Sequence, residues 1–116
     1  MSAKKTLGAA GQKVPSFCVD VFIAGDKATA RRVLRDYCMK DPCCVTLSST
    51  EYVYRGGLED GVVVGLRNYP RFPTSPEEIR SRANDIASVL MDEMAQDSCM
   101  IVDSTGDTVW RTTRDA

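Results

Sequence analysis

Apolar residues between positions 75 and 96 recur at helical spacing, while most charged residues fall outside their stripe. Ser75 occupies the N-cap position, Pro76 the first helical position, and Glu78 can return a hydrogen bond to the Ser75 amide. The pattern predicts a long amphipathic helix that packs on an apolar surface. Its apolar stripe consists of Ile79, Ala83, Ile86, Ala87, Leu90 and Met94.

A second, shorter apolar stripe follows Asp26, a residue suited to an N-cap. The Asp41-Pro42 pair predicts the end of this segment, because the residue before a proline is pushed out of the helical region. We therefore predict an amphipathic helix between these points. Its apolar face consists of Ala30, Val33, Leu34, Tyr37 and Cys38.

Alternating or continuous apolar residues predict five strands. They lie at residues 16–24, 43–55, 62–66, 99–102 and 109–110. The second strand is expected to contain a bulge near residues 48–49, two shorter strands being the alternative. Residues 56–61 contain three glycines and predict the hairpin connection between the second and third strands. One face of the first strand is wholly apolar and consists of Phe17, Val19, Val21 and Ile23.

The predicted order is strand, helix, strand, strand, helix, strand, strand. This order predicts an α+β two-layer sandwich, ferredoxin-like in its βαββαβ part, with one extra C-terminal hairpin strand. Both helices are expected on one face of the sheet, with the first and third strands central and parallel. We assign residues 15–113 to a single domain, residues 1–14 to a flexible leader and residues 114–116 to a frayed tail.

The charge and composition narrow the function classes. The 116 residues carry a formal net charge of −1, which disfavours a large nucleic-acid interface. Histidine is absent, so the usual carrier of acid–base chemistry near neutral pH is missing. The phosphate-cradling motif GxxxxGK[ST] and the dinucleotide fingerprint GxGxxG are also absent. The sequence thus predicts no catalytic residue and no cofactor.

Five cysteines, an odd number without CxxC spacing, predict reduced thiols in a cytoplasmic protein. A zinc site formed by Cys38, Cys43 and Cys44 is the alternative. We reject it, since adjacent residues of a strand point to opposite faces, and we predict no metal site. A signal peptide and a long apolar run are missing, so no association with a membrane is expected.

The loop at residues 68–74 is a candidate ligand or partner site. It follows a central strand and precedes the N-terminus of the long helix, a position that attracts anions. Two prolines stiffen it, and its aromatic and arginine side chains are types enriched at binding hot spots. The candidate residues are Asn68, Tyr69, Arg71 and Phe72. The alternative is that the two aromatic side chains plug the end of the core.

The sheet face away from the helices is a candidate self-association surface. In the predicted register Phe22, Val63 and Met100 point to this face, together with Cys44. An apolar patch of this kind is typical of a homo-oligomer or a partner surface. The alternative is that other parts of the chain cover it.

These features predict a small non-catalytic interaction domain that acts through the open sheet face, as a homo-oligomer or with another protein. The first alternative is a small-ligand (anion) binder or an enzyme with a pocket at the 68–74 loop. The second alternative is nucleic-acid binding on the open face, which the charge and the absence of an RNP-type motif disfavour.

Overall fold

The computed structural model describes residues 11–114. The predicted leader and tail therefore fall largely outside the described residues, at positions 1–10 and 115–116. Residues 11–17 precede the first strand and belong to no helix or strand. Neither helix in the described part of the chain is long and apolar enough to span a membrane.

Five strands and two helices within residues 11–114 confirm the predicted α+β class. They are β1 (Cys18–Ala24), α1 (Lys27–Lys40), β2 (Thr46–Tyr54), β3 (Gly57–Arg67), α2 (Pro76–Glu93), β4 (Ser98–Asp103) and β5 (Thr108–Thr112). The strands form one sheet in the order β2-β3-β1-β4-β5. The last strand extends the sheet by a hairpin from β4.

Every pair of neighbouring strands in this sheet is antiparallel. The prediction that the first and third strands run parallel is therefore wrong. The crossover through α1 does make β1 parallel to β2, but β3 lies between them. Because the tight β2–β3 hairpin reverses the chain, β3 runs against both of its neighbours.

The β2–β3 hairpin is longer and more regular than predicted. Pairing continues without interruption from Thr46 opposite Gly65 to Tyr54 opposite Gly57, so the expected bulge is absent. The connection between the two strands is shorter than predicted and consists of Arg55 and Gly56, and Gly56 has a φ of 80°. Since glycine adopts positive φ at low cost, the chain reverses within two residues and the next four residues pair as strand.

Both helices begin as their sequence signals predict. Ser75 Oγ accepts a hydrogen bond from the Glu78 main-chain N–H at 3.2 Å, and Glu78 Oε1 accepts one from the Ser75 N–H at 3.4 Å. The Asp26 carboxylate likewise accepts from the Thr29 N–H at 2.9 Å at the start of α1. These bonds satisfy donors that a helix N-terminus otherwise leaves without partners.

The core lies between the helices and one face of the sheet. Alternate residues of β1 are buried, and they pack in one cluster with the buried faces of α1 and α2. The largest fully buried side chains are Val19, Val21, Ile23, Val62, Val64, Ile86 and Leu90. One layer of helices therefore covers one sheet face, and within residues 11–114 no helix packs on the opposite face, which we call the uncovered sheet face.

Candidate functional site

A cleft of about 450 Å³ lies where the loop after β3 meets α2 and the segment that follows α1. Its walls combine apolar, aromatic and charged side chains from three separate parts of the chain. They are Pro42, Cys43, Cys44, Leu66, Arg67, Tyr69, Phe72, Pro73, Thr74, Glu78 and Arg82. A volume of this size suits a small organic ligand.

Asn68 holds the loop beside the cleft in place. Its side-chain oxygen accepts a hydrogen bond from the Thr74 N–H, and its side-chain nitrogen donates to the Pro15 carbonyl, both at 2.9 Å. Its main-chain N–H donates to the Phe17 carbonyl at 3.0 Å. One residue therefore joins both ends of the loop and ties them to the chain ahead of β1.

A tight turn brings two aromatic rings together at the mouth of the cleft. The Phe72 N–H donates to the Tyr69 carbonyl at 3.1 Å. The ring centroids of these residues lie 5.7 Å apart and the rings are tilted by 54°. Phe72 is 52% exposed, so its ring presents an open apolar surface. Burial, followed by the neighbouring Cys44 thiol, raises the pKa of Tyr69, which therefore stays neutral at pH 7.

The first turns of α2 contribute one acidic and one basic side chain. Glu78 and Arg82 are four residues apart and line the same cleft. The Glu78 carboxylate also accepts from the Ser75 hydroxyl at 3.1 Å, so the cap holds its position. Arg82 donates from Nη2 to Asp41 at 3.3 Å, whereas its buried Nε has no hydrogen-bond partner among residues 11–114.

Two cysteines come from the segment after α1. Cys44 is exposed, while Cys43 is half-buried with its sulfur 3.7 Å from the sulfur of Cys38. Burial and the bond to Cys38 raise the pKa of Cys43 to about 12, so this thiol keeps its proton at neutral pH. Within residues 11–114, no three His, Cys, Asp or Glu side chains form a cluster suited to a metal ion.

The structure separates the four candidate residues of the 68–74 loop. Tyr69 and Phe72 line the cleft, whereas Asn68 holds the loop and Arg71 is exposed outside the cleft wall. The sequence reasoning missed the cleft residues contributed by other segments. Among these residues, only Glu78 and Arg82 showed a pattern that could be recognised in the sequence, namely their helical spacing.

The three residues predicted for self-association lie next to one another on the uncovered sheet face. Phe22 pairs with Val63 on one side and with Met100 on the other, and Trp110 continues this row from β5. The first three are half-buried, and Trp110 is 61% exposed. Cys44, also expected on this face, lies ahead of β2 and lines the cleft instead.

Comparison with known proteins identifies the fold. No protein-family model matches the sequence, and the search of curated proteins gives no match. The chain is similar to a solved phage SAM lyase in its apo state, at 13% identity and a TM-score of 0.69, over 86% of this chain and 91% of that chain. It is similar to a phage SAM lyase in complex with S-methyl-5'-thioadenosine at 14% identity and the same TM-score, over 89% and 94% of the two chains.

This likeness corrects the function predicted from the sequence. A non-catalytic interaction domain was expected, whereas the solved proteins that share the fold are enzymes. The first alternative, a ligand binder or enzyme with a pocket at the 68–74 loop, agrees better with these neighbours and with the cleft. In residues 11–114 the chain thus shares with these two enzymes a fold that places two helices on a five-stranded antiparallel sheet.

Proposed function

We propose that the chain binds S-adenosylmethionine or a closely related sulfonium nucleoside in this cleft and cleaves it as a lyase. The main support for this proposal is that one cleft is lined by Tyr69, Phe72 and Glu78. The fold shared with phage SAM lyases supports the assignment of the ligand class.

The side chains of the cleft complement the parts of such a ligand. The exposed face of Phe72 offers a stacking surface for an adenine ring. A sulfonium cation is attracted to the faces of aromatic rings and to the carboxylate of Glu78. Arg67 and Arg82 are the cationic groups of the cleft, and they suit the carboxylate of the methionine part.

Lyase cleavage of this ligand makes few demands on acid–base groups. The bond between the sulfonium sulfur and the methionine Cγ breaks, and its electron pair goes to sulfur. The carboxylate oxygen of the methionine part attacks Cγ as this bond breaks, so the leaving group is S-methyl-5'-thioadenosine, a neutral thioether that needs no proton. The other product is the five-membered lactone of homoserine, a four-carbon amino acid. A cleft that holds the methionine part in a reactive conformation accelerates such a step by positioning alone. The absence of histidine from the sequence is compatible with this chemistry.

We also infer that the fold belongs to the ferredoxin-like sandwiches, with β5 as an added edge strand. The order β2-β3-β1-β4 and the two helices on one sheet face support this assignment. In this arrangement the loop between β3 and α2 leaves the sheet beside the end of α1. This position brings the three walls of the cleft together.

A direct assay tests the proposed function. Purified protein is incubated with S-adenosylmethionine, and S-methyl-5'-thioadenosine is quantified by liquid chromatography and mass spectrometry. We expect thioadenosine formation above the rate without protein, and proton NMR identifies the four-carbon product. Failure to form the thioadenosine, together with no calorimetric binding of it, contradicts the proposal.

Matched variants locate the reaction in the cleft. Phe72→Ala removes an exposed ring of the cleft, and Trp110→Ala removes a somewhat more exposed ring from β5. We expect the first variant to lower kcat/KM about tenfold, since a stacking contact worth about 1.4 kcal/mol corresponds to that factor. The second variant should keep the activity. Equal losses in both variants would place the reaction elsewhere.

A second proposal concerns the uncovered sheet face. We propose that Phe22, Val63 and Met100 form a surface through which two or more copies of the chain associate. Its support is the continuous row that these residues form with the exposed Trp110. A contiguous row of apolar side chains that remains partly exposed on a sheet face is typical of interfaces.

A further inference from the structure

Cys38 and Cys43 form a pair of thiols beside the cleft. Their sulfur atoms are 3.7 Å apart, within hydrogen-bonding distance for sulfur, and both residues are half-buried. Cys38 belongs to the last turn of α1, whereas Cys43 lies on the irregular segment that leads to β2. Because a disulfide requires about 2.05 Å between the sulfurs, a shift of less than 2 Å would bring them to bonding distance.

The chain between the two cysteines is held by a network centred on Asp41. The Asp41 N–H donates to the Tyr37 carbonyl at 2.9 Å, and the Tyr37 hydroxyl donates to the Asp41 carboxylate at 3.1 Å. Arg82 donates to the other carboxylate oxygen at 3.3 Å. These bonds fix the turn that brings Cys43 back against the helix. The proximity of the thiols is therefore built into the fold.

We propose that Cys38 and Cys43 are a modification site, a dithiol that a peroxide converts to an intramolecular disulfide. The inference rests on the sulfur–sulfur distance and on the network that maintains it. Neither observation depends on the function proposed for the cleft. Two of the other three cysteines have different neighbours, since Cys99 lies against Met91 in the core and Cys44 lies beside Tyr69. The third, Cys18, belongs to β1.

The reaction with hydrogen peroxide balances as follows. The Cys38 sulfur attacks one peroxide oxygen, the O–O bond breaks, and the products are a sulfenic acid at Cys38 and one water molecule. Cys43 then attacks the Cys38 sulfur, the S–O bond breaks, and the released hydroxide takes the Cys43 proton to form a second water. Two thiols are oxidised to one disulfide while one peroxide is reduced. We expect the first attack from Cys38 because Cys43 retains its proton.

Closure of the disulfide would alter the wall of the cleft. Cys43 lines the cleft, whereas Cys38 does not. The bond therefore draws the Cys43 sulfur toward α1 and shifts the segment that carries Cys44. We expect weaker ligand binding in the oxidised protein, an effect that rests on the proposed function.

Peptide mapping tests the disulfide directly. Reduced protein is treated with hydrogen peroxide, alkylated, and digested with trypsin, which separates Cys38 from Cys43 by cleavage after Lys40. We expect a disulfide-linked pair of peptides covering residues 36–40 and 41–55. The linked pair should form in Cys44→Ser and should be lost in Cys43→Ser. A pair that disappears in Cys44→Ser, or free thiols throughout, overturns the proposal.

Calorimetry with S-methyl-5'-thioadenosine tests the effect on the cleft. We expect at least a threefold weaker affinity after oxidation, with recovery on reduction by dithiothreitol. Cys38→Ser should bind equally before and after peroxide treatment, and wild type and Cys18→Ser should respond alike. Equal affinity of oxidised and reduced wild type overturns the effect on the cleft. If neither form binds the thioadenosine and none is formed from S-adenosylmethionine, the proposed function fails, while the peptide map still shows whether Cys38 and Cys43 form the disulfide.

Discussion

The side-chain oxygen of Asn68 accepts a hydrogen bond from the main-chain N–H of Thr74 at 2.9 Å. This bond closes the loop that carries Tyr69 and Phe72, the two aromatic residues of the cleft. The same side chain reaches back to the Pro15 carbonyl. The loop geometry therefore depends on a residue that lies outside the cleft wall.

Asn68→Ala should lower both stability and ligand binding. The substitution removes two side-chain hydrogen bonds, each worth about 1 kcal/mol, so we expect the free energy of unfolding to fall by about 1–3 kcal/mol. Urea denaturation measures this loss. Arg71→Ala is the matched control, since Arg71 is exposed on the same loop and lies outside the cleft wall. Equal stability of the two variants would contradict the role assigned to Asn68.

Acid should destabilise the protein partly through Asp103. The Arg80 guanidinium holds the pKa of Asp103 below its ordinary value of 3.8, and hydrogen bonds from Thr105 lower it further. Because the folded-state pKa is depressed, the stabilisation is complete above the unfolded-state value and is lost as the pH falls through the folded-state value. We expect the unfolding free energy of wild type to fall more steeply than that of Asp103→Asn below about pH 4. Parallel curves for the two proteins in acid urea titrations would refute this.

Gly61→Ala should destabilise the central sheet. A Cβ at Gly61 would lie 2.9 Å from the Ile23 carbonyl and 2.4 Å from the ring of Tyr52, which lies across the glycine. The ring can move, but the carbonyl belongs to the paired main chain of β1. We therefore expect a loss of about 1–3 kcal/mol in thermal or urea unfolding, as in other overpacked sites.

The control for this prediction is Gly11→Ala, because in the part of the chain that the structure describes nothing apart from its chain neighbours lies within 4 Å of a Cβ at that position. Combining Gly61→Ala with Tyr52→Ala should not restore stability to the level of Tyr52→Ala alone. Full restoration would mean that the ring, rather than the strand, requires glycine.

Self-association should depend on the uncovered sheet face. Met100→Glu places a charge in the row shared with Phe22 and Val63, and burying an unpaired charge in an interface is costly. We expect wild type to sediment or elute as an oligomer at high micromolar concentration and the variant to dissociate. Light scattering coupled to size exclusion measures both.

Met39→Glu is the corresponding control, since Met39 is 83% exposed on α1, away from this face. It should leave the oligomeric state unchanged. A strictly monomeric wild type would remove the self-association proposal.

Local sequence signals predicted most of the helices and strands. The Ser75 cap and the apolar stripe of α2 predicted a helix at residues 75–96, and the structure has it at Pro76–Glu93. The Asp26 cap and the Asp41-Pro42 pair delimited α1 equally well. Caps and periodicity succeed because their causes lie within a few residues of one another.

Most of the missed features depend on contacts between segments that are distant in the sequence. The direction of β3 relative to β1 follows from sheet order, and the unbroken β2–β3 register follows from a two-residue turn at Gly56. The cleft likewise requires Cys43, Tyr69 and Arg82 to converge from three elements. Neither the spacing of these three residues in the sequence nor their chemistry indicates that they lie together in the fold.

The amino-acid sequence by itself determined where the helices and most strands lie, which of their faces are apolar, and that the 68–74 loop is chemically unusual. Those properties follow from backbone preferences and from the periodic placement of side chains. The tertiary structure alone decided that Asn68 positions the loop while Tyr69 and Phe72 line a cleft, and that Cys38 meets Cys43. The reason is that hydrogen bonds and sulfur–sulfur distances depend on how the sheet and helices pack, which no local stretch of sequence specifies.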